Sequence, residues 1–107
     1  MSVLKFENFA ELEIRIGTVI EAERVSGTDK LIKTIIDMGD YKRQVVAGFG
    51  HIHSPEELIG KQVPVVLNIE PAMIRGVESN GIFVALDDVG ATLLVPQSHV
   101  SNGTRLK

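Results

Sequence analysis

An all-β fold, a small barrel of five antiparallel strands, is predicted for this sequence by three observations. A long run of alternating character extends from Glu13 to Glu23, a Gly-Asp pair links two further β-branched runs, and one short, well-capped helix stands between the third and fourth strands. In the first run Ile14, Ile16, Thr18, Ile20 and Ala22 fall on one face and Arg15, Gly17, Val19, Glu21 and Glu23 on the other. Period two with β-branched residues reads as a strand, and Gly17 within it marks a place where a strand can coil tightly.

A turn follows at Ser26-Gly27-Thr28-Asp29, then a second strand near Leu31 to Met38. Gly39-Asp40 joins it to a third strand at about Lys42 to Ala47, a two-residue connection that signals a hairpin. Ser54-Pro55-Glu56-Glu57 is a helix start: the serine caps, proline suits the first helical position, and Glu57 can return a bond to the cap, while Gly60 ends the helix. A nearly wholly apolar fourth strand is predicted at Gln62 to Leu67, a fifth at Ile82 to Leu86, and a last short one at Thr92 to Val95. Three strands, a helix and two strands is the order of the OB-fold, a five-stranded Greek-key barrel; an SH3-like barrel would not place a helix there. Ligands of an OB-fold lie against strands 2 and 3 and the loops joining strands 1–2 and 4–5, here Ser26 to Lys30 and Asn68 to Asn80.

The chain has 107 residues, the length of one domain, 1–107, with a C-terminal extension of about 87–107 beyond the barrel. No apolar run approaches the ~18–20 residues of a membrane span, so no membrane partner is expected. The start, MSVLKFENF, lacks the apolar stretch and cleavage site of a signal peptide, and cysteine is absent, which removes disulfides and thiolate metal sites and makes the cytoplasm the expected compartment. The net charge of −3 weakens a nucleic-acid reading without removing it, because phosphate binding needs only a local patch and bases gather between Lys30 and Arg43.

No constellation supports an enzyme, a cofactor or a metal. On a strand, His51 and His53 would share one side, but no third and fourth ligand follows, and a polar loop ahead of the helix cap accounts for them. Asp87 and Asp88 are adjacent, so their side chains diverge and cannot work as an acid–base pair. Gly48-Phe49-Gly50 lacks the third glycine and following helix of a dinucleotide site, and no serine has a G-x-S-x-G setting. Of the five aromatic residues, Phe6 and Phe9 are spaced to pack beneath a short N-terminal helix and Phe83 sits in an apolar strand, which leaves Tyr41 and Phe49 as the exposed pair. That is too few platforms for generic single-strand binding. The segment Asn68 to Gly81 carries the remaining polar groups: Arg75 can grip a phosphate or base edge, and Asn68 and Ser79 can donate to phosphates or bases. The same composition also fits a long surface turn folded back on its glycines.

At this segment the sequence resembles the tRNA-binding domain found at the end of many methionyl-tRNA synthetases, in free-standing tRNA-binding proteins and in cytokine-like cofactors of synthetase complexes. The resemblance rests on Glu13-Ile14-Arg15-Ile16-Gly17, Thr28-Asp29-Lys30-Leu31, Lys42 to Gly48, Pro55-Glu56-Glu57-Leu58, Gly76-Val77-Glu78-Ser79 and Val100 to Thr104, in order along nearly the whole chain. It implies an OB-fold, tRNA as ligand and a site that includes Asn68, Arg75, Ser79 and Lys33, with Lys30 and Arg43 as further phosphate contacts. The family usually has a basic residue where Glu70 stands and another near Met73, and Gly-Met where this chain has Gly81-Ile82. Neither His-Ile-Gly-His nor Lys-Met-Ser-Lys-Ser, the signatures of a class I synthetase core, occurs here, so the resemblance implies a free-standing protein or an accessory subunit of an aminoacyl-tRNA synthetase. Relatives of this size are homodimers joined through the N-terminal helix and the C-terminal extension. An alternative is a CsaA-type secretion chaperone, which shares the fold and binds unfolded polypeptide in an apolar groove; the acidic charge favours it, and Arg75, Lys33 and the Gly-Val-Glu-Ser run oppose it.

Overall fold

A computed structural model describes residues 1–88 and 91–107, so residues 89 and 90 of the predicted extension lie outside it. Helix α1 (Phe6–Ala10) leads into the long strand β1 (Ile14–Arg24), followed by β2 (Ile32–Asp37), β3 (Lys42–Ala47), helix α2 (Pro55–Leu58) and β4 (Gln62–Val66). Five short strands complete the chain: β5 (Ala72–Ile74), β6 (Val77–Ser79), β7 (Ile82–Phe83), β8 (Ala85–Leu86) and β9 (Thr92–Leu93). The main sheet runs β3-β2-β1-β4-β7 with antiparallel pairing throughout. The residues around β6 and β7 close it onto β3: the Asn80 amide donates to the Gln44 carbonyl at 2.8 Å, and Gln44 Nε2 donates to the Glu78 carbonyl at 2.8 Å. The result is the predicted OB-type barrel, with α2 between β3 and β4.

Val19, Ile32, Ile36, Val45, Leu58 and Val63 are the centre of its core, all within 1% of complete burial. Gly17 is what lets β1 coil around that core. A Cβ there would lie 2.9 Å from the Asp37 carbonyl and closer still to the side chains of Ile36 and Met38. The alternation along β1 is not unbroken as the sequence predicts. A bulge between Val19 and Glu21 shifts the register against β2, so Val19 faces the core opposite Ile36, whereas beyond the bulge Ala22 turns inward opposite Thr34. Ile14 and Ile16 consequently lie on the outer surface of the barrel.

The C-terminal segment covers part of that surface. It runs along the edge of β1 that β2 leaves free: Gly103 donates to the Ile16 carbonyl at 2.7 Å, Ile16 to Thr104 at 2.9 Å and Leu106 to Ile14 at 2.9 Å. Gln62 and Thr18 fix its approach, Gln62 Nε2 donating to the Val100 carbonyl at 2.7 Å and the Thr18 hydroxyl to Asn102 Oδ1 at 2.7 Å.

Two other strand predictions change. The fifth strand, expected from Ile82 to Leu86, breaks into β7 on the barrel and β8 paired with β9. The break falls opposite Pro64, which accepts from the Val84 amide at 3.0 Å but has no N–H to return, so the ladder cannot continue. The expected loop from Asn68 to Asn80 contains a hairpin, β5–β6, turning at Arg75-Gly76.

Candidate nucleic-acid interface

The β1–β2 loop, the outer face of β2 and β3 and the β5–β6 hairpin carry the candidate residues. The β5–β6 turn has positive φ at both central residues, 53° at Arg75 and 79° at Gly76, as a two-residue hairpin of primed type requires. Asn or Gly usually fills the first of these positions. Arginine in the left-handed region costs on the order of 1–2 kcal/mol. Its side chain is exposed at the tip of the hairpin and makes no ion pair or side-chain hydrogen bond among the described residues. The Glu70 and Glu78 that flank it in sequence therefore do not neutralise it; Glu78 instead accepts from Asn80 Nδ2 at 2.8 Å.

Ser79 does not face solvent beside Arg75. It is 4% exposed, and its hydroxyl accepts from the Val46 amide at 3.0 Å and donates to the Gly81 carbonyl at 3.2 Å. Its work is to seal the barrel between the hairpin and β3. Asn68 is likewise engaged at both ends of its amide, Nδ2 donating to the Glu11 carbonyl at 2.7 Å and Oδ1 accepting from the Glu13 amide at 2.8 Å. Arg43 pairs with Ile36 in the β2–β3 ladder and so lies on the core side of the sheet. It is half-buried there, with Nη1 donating to the Leu67 and Asn80 carbonyls at 3.2 Å each and the guanidinium 5.3 Å from the Tyr41 ring centroid. Ser79 and Arg43 thereby brace the hairpin side of the barrel, whereas Asn68 fixes the junction of α1 and β1.

Lys33 points outward from β2, opposite Val46 on β3 and Glu23 on β1, and its Nζ lies 2.7 Å from Glu23 Oε1. Lys42 occupies the same outer face, at the β3 position opposite Asp37, and is exposed with no ion pair among the described residues. Parity would have found it: Lys42, Gln44 and Val46 share a face, and Val46 is the residue opposite Lys33. Lys30, in the β1–β2 loop, is exposed, and its amide donates to Thr28 Oγ1 at 3.1 Å. Arg24, which the sequence reading passed over, fixes this loop: its Nη1 donates to the Asp29 carbonyl at 2.7 Å and to the Gly50 carbonyl at 3.0 Å. The structure thus brings Lys33 and Lys42 onto one face, sets Lys30 and Arg75 on loops at its margin, and withdraws Arg43, Asn68 and Ser79 into supporting contacts.

The aromatic assignment is corrected. Phe49 is 2% exposed and packs edge-on against Phe83 at 5.3 Å, whereas Phe6 and Phe9 are 79% and 45% exposed. Phe49 lies two residues beyond the end of β3 and is buried in the core against Phe83, while no element among the described residues covers the rings of α1. Tyr41 remains as the exposed ring beside the candidate interface. His51 and His53 lie in a turn and its end, with His53 Nδ1 3.3 Å from Glu57 Oε2 and its ring edge-on to Phe49.

Lys30, Lys42 and Arg75 thus stand exposed with no ion pair among the described residues, while Lys33 is held by Glu23. Residues 14–105 match the family model described as a putative tRNA binding domain, and the chain belongs to that family. It is 49% identical over 106 residues to a methionine–tRNA ligase of Methanothrix thermoacetophila and 48% identical over 104 residues to one of Archaeoglobus fulgidus. These matches cover 98% and 96% of the chain but only 16% of each ligase, so the chain spans about one sixth of the curated relatives it matches. Among solved structures it is similar to a MetRS-related protein from Pyrococcus horikoshii, with a TM-score of 0.91 and 31% identity over 100% of both chains. It is also similar to the chaperone CsaA of Bacillus anthracis, with a TM-score of 0.91 and 32% identity over 99% of this chain and 100% of that one.

Proposed function

We propose that this tRNA-binding module grips tRNA by its backbone shape, through Arg75, Lys30, Lys33 and Lys42, as a homodimer acting alone or beside a methionyl-tRNA synthetase in the cytoplasm. The observation that carries this reading is Arg75: a guanidinium with no ion pair or side-chain hydrogen bond among the described residues, at the exposed tip of the β5–β6 hairpin, in a turn position whose backbone conformation disfavours arginine. Recognition by shape fits an interface with Tyr41 as its one exposed ring, since splayed bases need stacking platforms. Arg43 and Ser79 support the same surface through the hydrogen bonds described above. The synthetase association rests on the ligases that carry a segment similar to this chain, and the cytoplasmic location on the cysteine-free chain and its proposed ligand.

Dimerisation is supported by a second, apolar surface. Phe6, Phe9, Leu12, Ile14 and Leu106 line an open groove of about 350 Å³, and apolar surface continues past Leu94 and Val95. Contiguous apolar surface of that kind marks an interaction site. A peptide-binding reading draws on the same groove and on the likeness to CsaA.

Titrating the chain with unfractionated tRNA and with a reduced, unfolded protein separates the two. Arg75→Ala should weaken all tRNAs alike by about 1–3 kcal/mol and reduce the salt slope by about one, with an unchanged melt. Undiminished tRNA affinity in a normally melting Arg75→Ala protein would remove Arg75 from the site, and preference for the unfolded protein would favour the chaperone reading.

A further inference from the structure

The outer face of the β1–β2 ladder carries more acid than base. Glu21, Ala22, Glu23, Lys33 and Ile35 line a shallow groove of about 260 Å³, two carboxylates to one ammonium. Within it Glu23 stands directly opposite Lys33 in the antiparallel pairing, and their charged atoms are 2.7 Å apart. The bulge between Val19 and Glu21 produces this juxtaposition. Thr18 pairs with Asp37 and Val19 with Ile36, and that register, carried on without the bulge, would set Ala22 opposite Lys33; the one-residue shift brings Glu23 there instead.

The pair has no architectural task that its burial would explain. Glu23 is 66% exposed at its side chain and Lys33 33%, and neither makes another side-chain hydrogen bond or ion pair among the described residues. An exposed pair of this sort adds little to folding and is readily exchanged. A phosphate approaching Lys33 must share the ammonium with the Glu23 carboxylate or displace it, and it meets Glu21 two residues along the same face.

We propose that Glu23 is an affinity-setting residue of the interface, an internal competitor that occupies the Lys33 ammonium and holds tRNA binding weaker and less salt-dependent than the basic residues alone would make it. The inference rests on the reading of Lys33 as a phosphate contact. It accounts for how an acidic chain can keep a nucleic-acid surface without binding every polyanion, because a ligand must reach several cations at once to make displacement of the carboxylate favourable.

The test is a double-mutant cycle on the full chain with unfractionated tRNA, titrated at two or more salt concentrations. Glu23→Gln should bind about fivefold tighter near physiological salt and steepen the dependence of log K on log salt by about 0.9, the signature of one more released counterion. Lys33→Ala should cost the Glu23→Gln protein more than it costs the parent, and the double variant should lose the gain. Equal gains with and without Lys33 would show that Glu23 acts only as bulk negative charge and overturn the proposal, as would a Glu23→Gln protein no tighter than the parent. If the parent binds tRNA and only the gain is missing, the competitor idea fails alone; if the parent binds no tRNA at any salt, the tRNA reading fails and this proposal with it.

Discussion

The two helices are built on opposite plans. Helix α2 is complete within the chain: Ser54 and Glu57 form a reciprocal capping box, Pro55 opens the first turn, and Pro55 and Leu58 are buried. Helix α1 has no side-chain cap at Lys5 and buries no residue, and its two rings, 6.3 Å apart, face outward. Yet α1 is held firmly at its C-terminal end. Arg105 Nη2 donates to the Ala10 carbonyl at 2.8 Å and pairs with Glu13 at 3.2 Å, while Asn68 takes the Glu11 carbonyl. Helix α1 is too short to persist by itself, yet it is tied down by polar contacts and keeps its apolar side uncovered among the described residues. Helix α2 closes the barrel; α1 presents a surface.

The sharpest way to break this contrast is at the rings of α1. If a second copy covers them, the double variant Phe6→Asp, Phe9→Asp should abolish association at micromolar concentration. Each buried ring contributes ~1.5–3 kcal/mol, and two-fold symmetry counts each ring twice, so the loss is on the order of 6 kcal/mol or more. Sedimentation equilibrium should report a shift from twice the chain mass to 11.7 kDa, with the barrel still folded by circular dichroism. A parent already monomeric at that concentration would leave α1 without the proposed partner.

The complementary change sits in α2. Leu58 is fully buried in the core, so Leu58→Ala should lower unfolding stability by about 2–5 kcal/mol in a urea titration, through lost transfer energy and the cavity left behind. Association measured where the variant is still folded should be unaffected. A variant that dissociates without losing stability would reverse the division of labour drawn here.

What the sequence makes legible follows the same division between local and distant causes. The capping box, the Gly39-Asp40 hairpin and the first four strands with α2 between the third and fourth are written in neighbouring residues, and each stands where the pattern places it. The bulge in β1 is not, because alternation continues through it and only pairing with β2 reveals the shift. The β5–β6 hairpin escaped because its turn begins with Arg75 and not with the Asn, Asp or Gly that signals a primed turn. In the candidate site, Arg75 and Lys30 could be read as exposed cations from loop position alone. Ser79, Asn68 and Arg43 could not be assigned their supporting contacts, since these join residues 33, 55 and 24 positions apart in the chain.

The smallest effect expected tests how self-sufficient α2 is. The Glu57 carboxylate accepts from the Ser54 amide at 3.0 Å and lies 3.3 Å from His53 Nδ1. The Ser54 backbone bond, then His53 and the Ser54 hydroxyl, hold its pKa below the ordinary glutamate value. A carboxyl depressed on folding contributes stability that is present above its unfolded pKa and is lost as pH falls through the folded one. Glutamine accepts the Ser54 bond only as a neutral group, as the protonated acid would, so Glu57→Gln should not lower stability in acid and should lower it only slightly near neutrality. It should thereby flatten the acid limb of the curve, which urea midpoints taken from about pH 7 to about pH 3 would resolve. Because the carboxylate is exposed, the difference is small, and it should appear in unfolding alone. Parent and variant curves of identical slope would mean that the bond to Ser54 persists after unfolding or contributes nothing to it, leaving the Ser54 hydroxyl cap and the burial of Pro55 and Leu58 to hold α2.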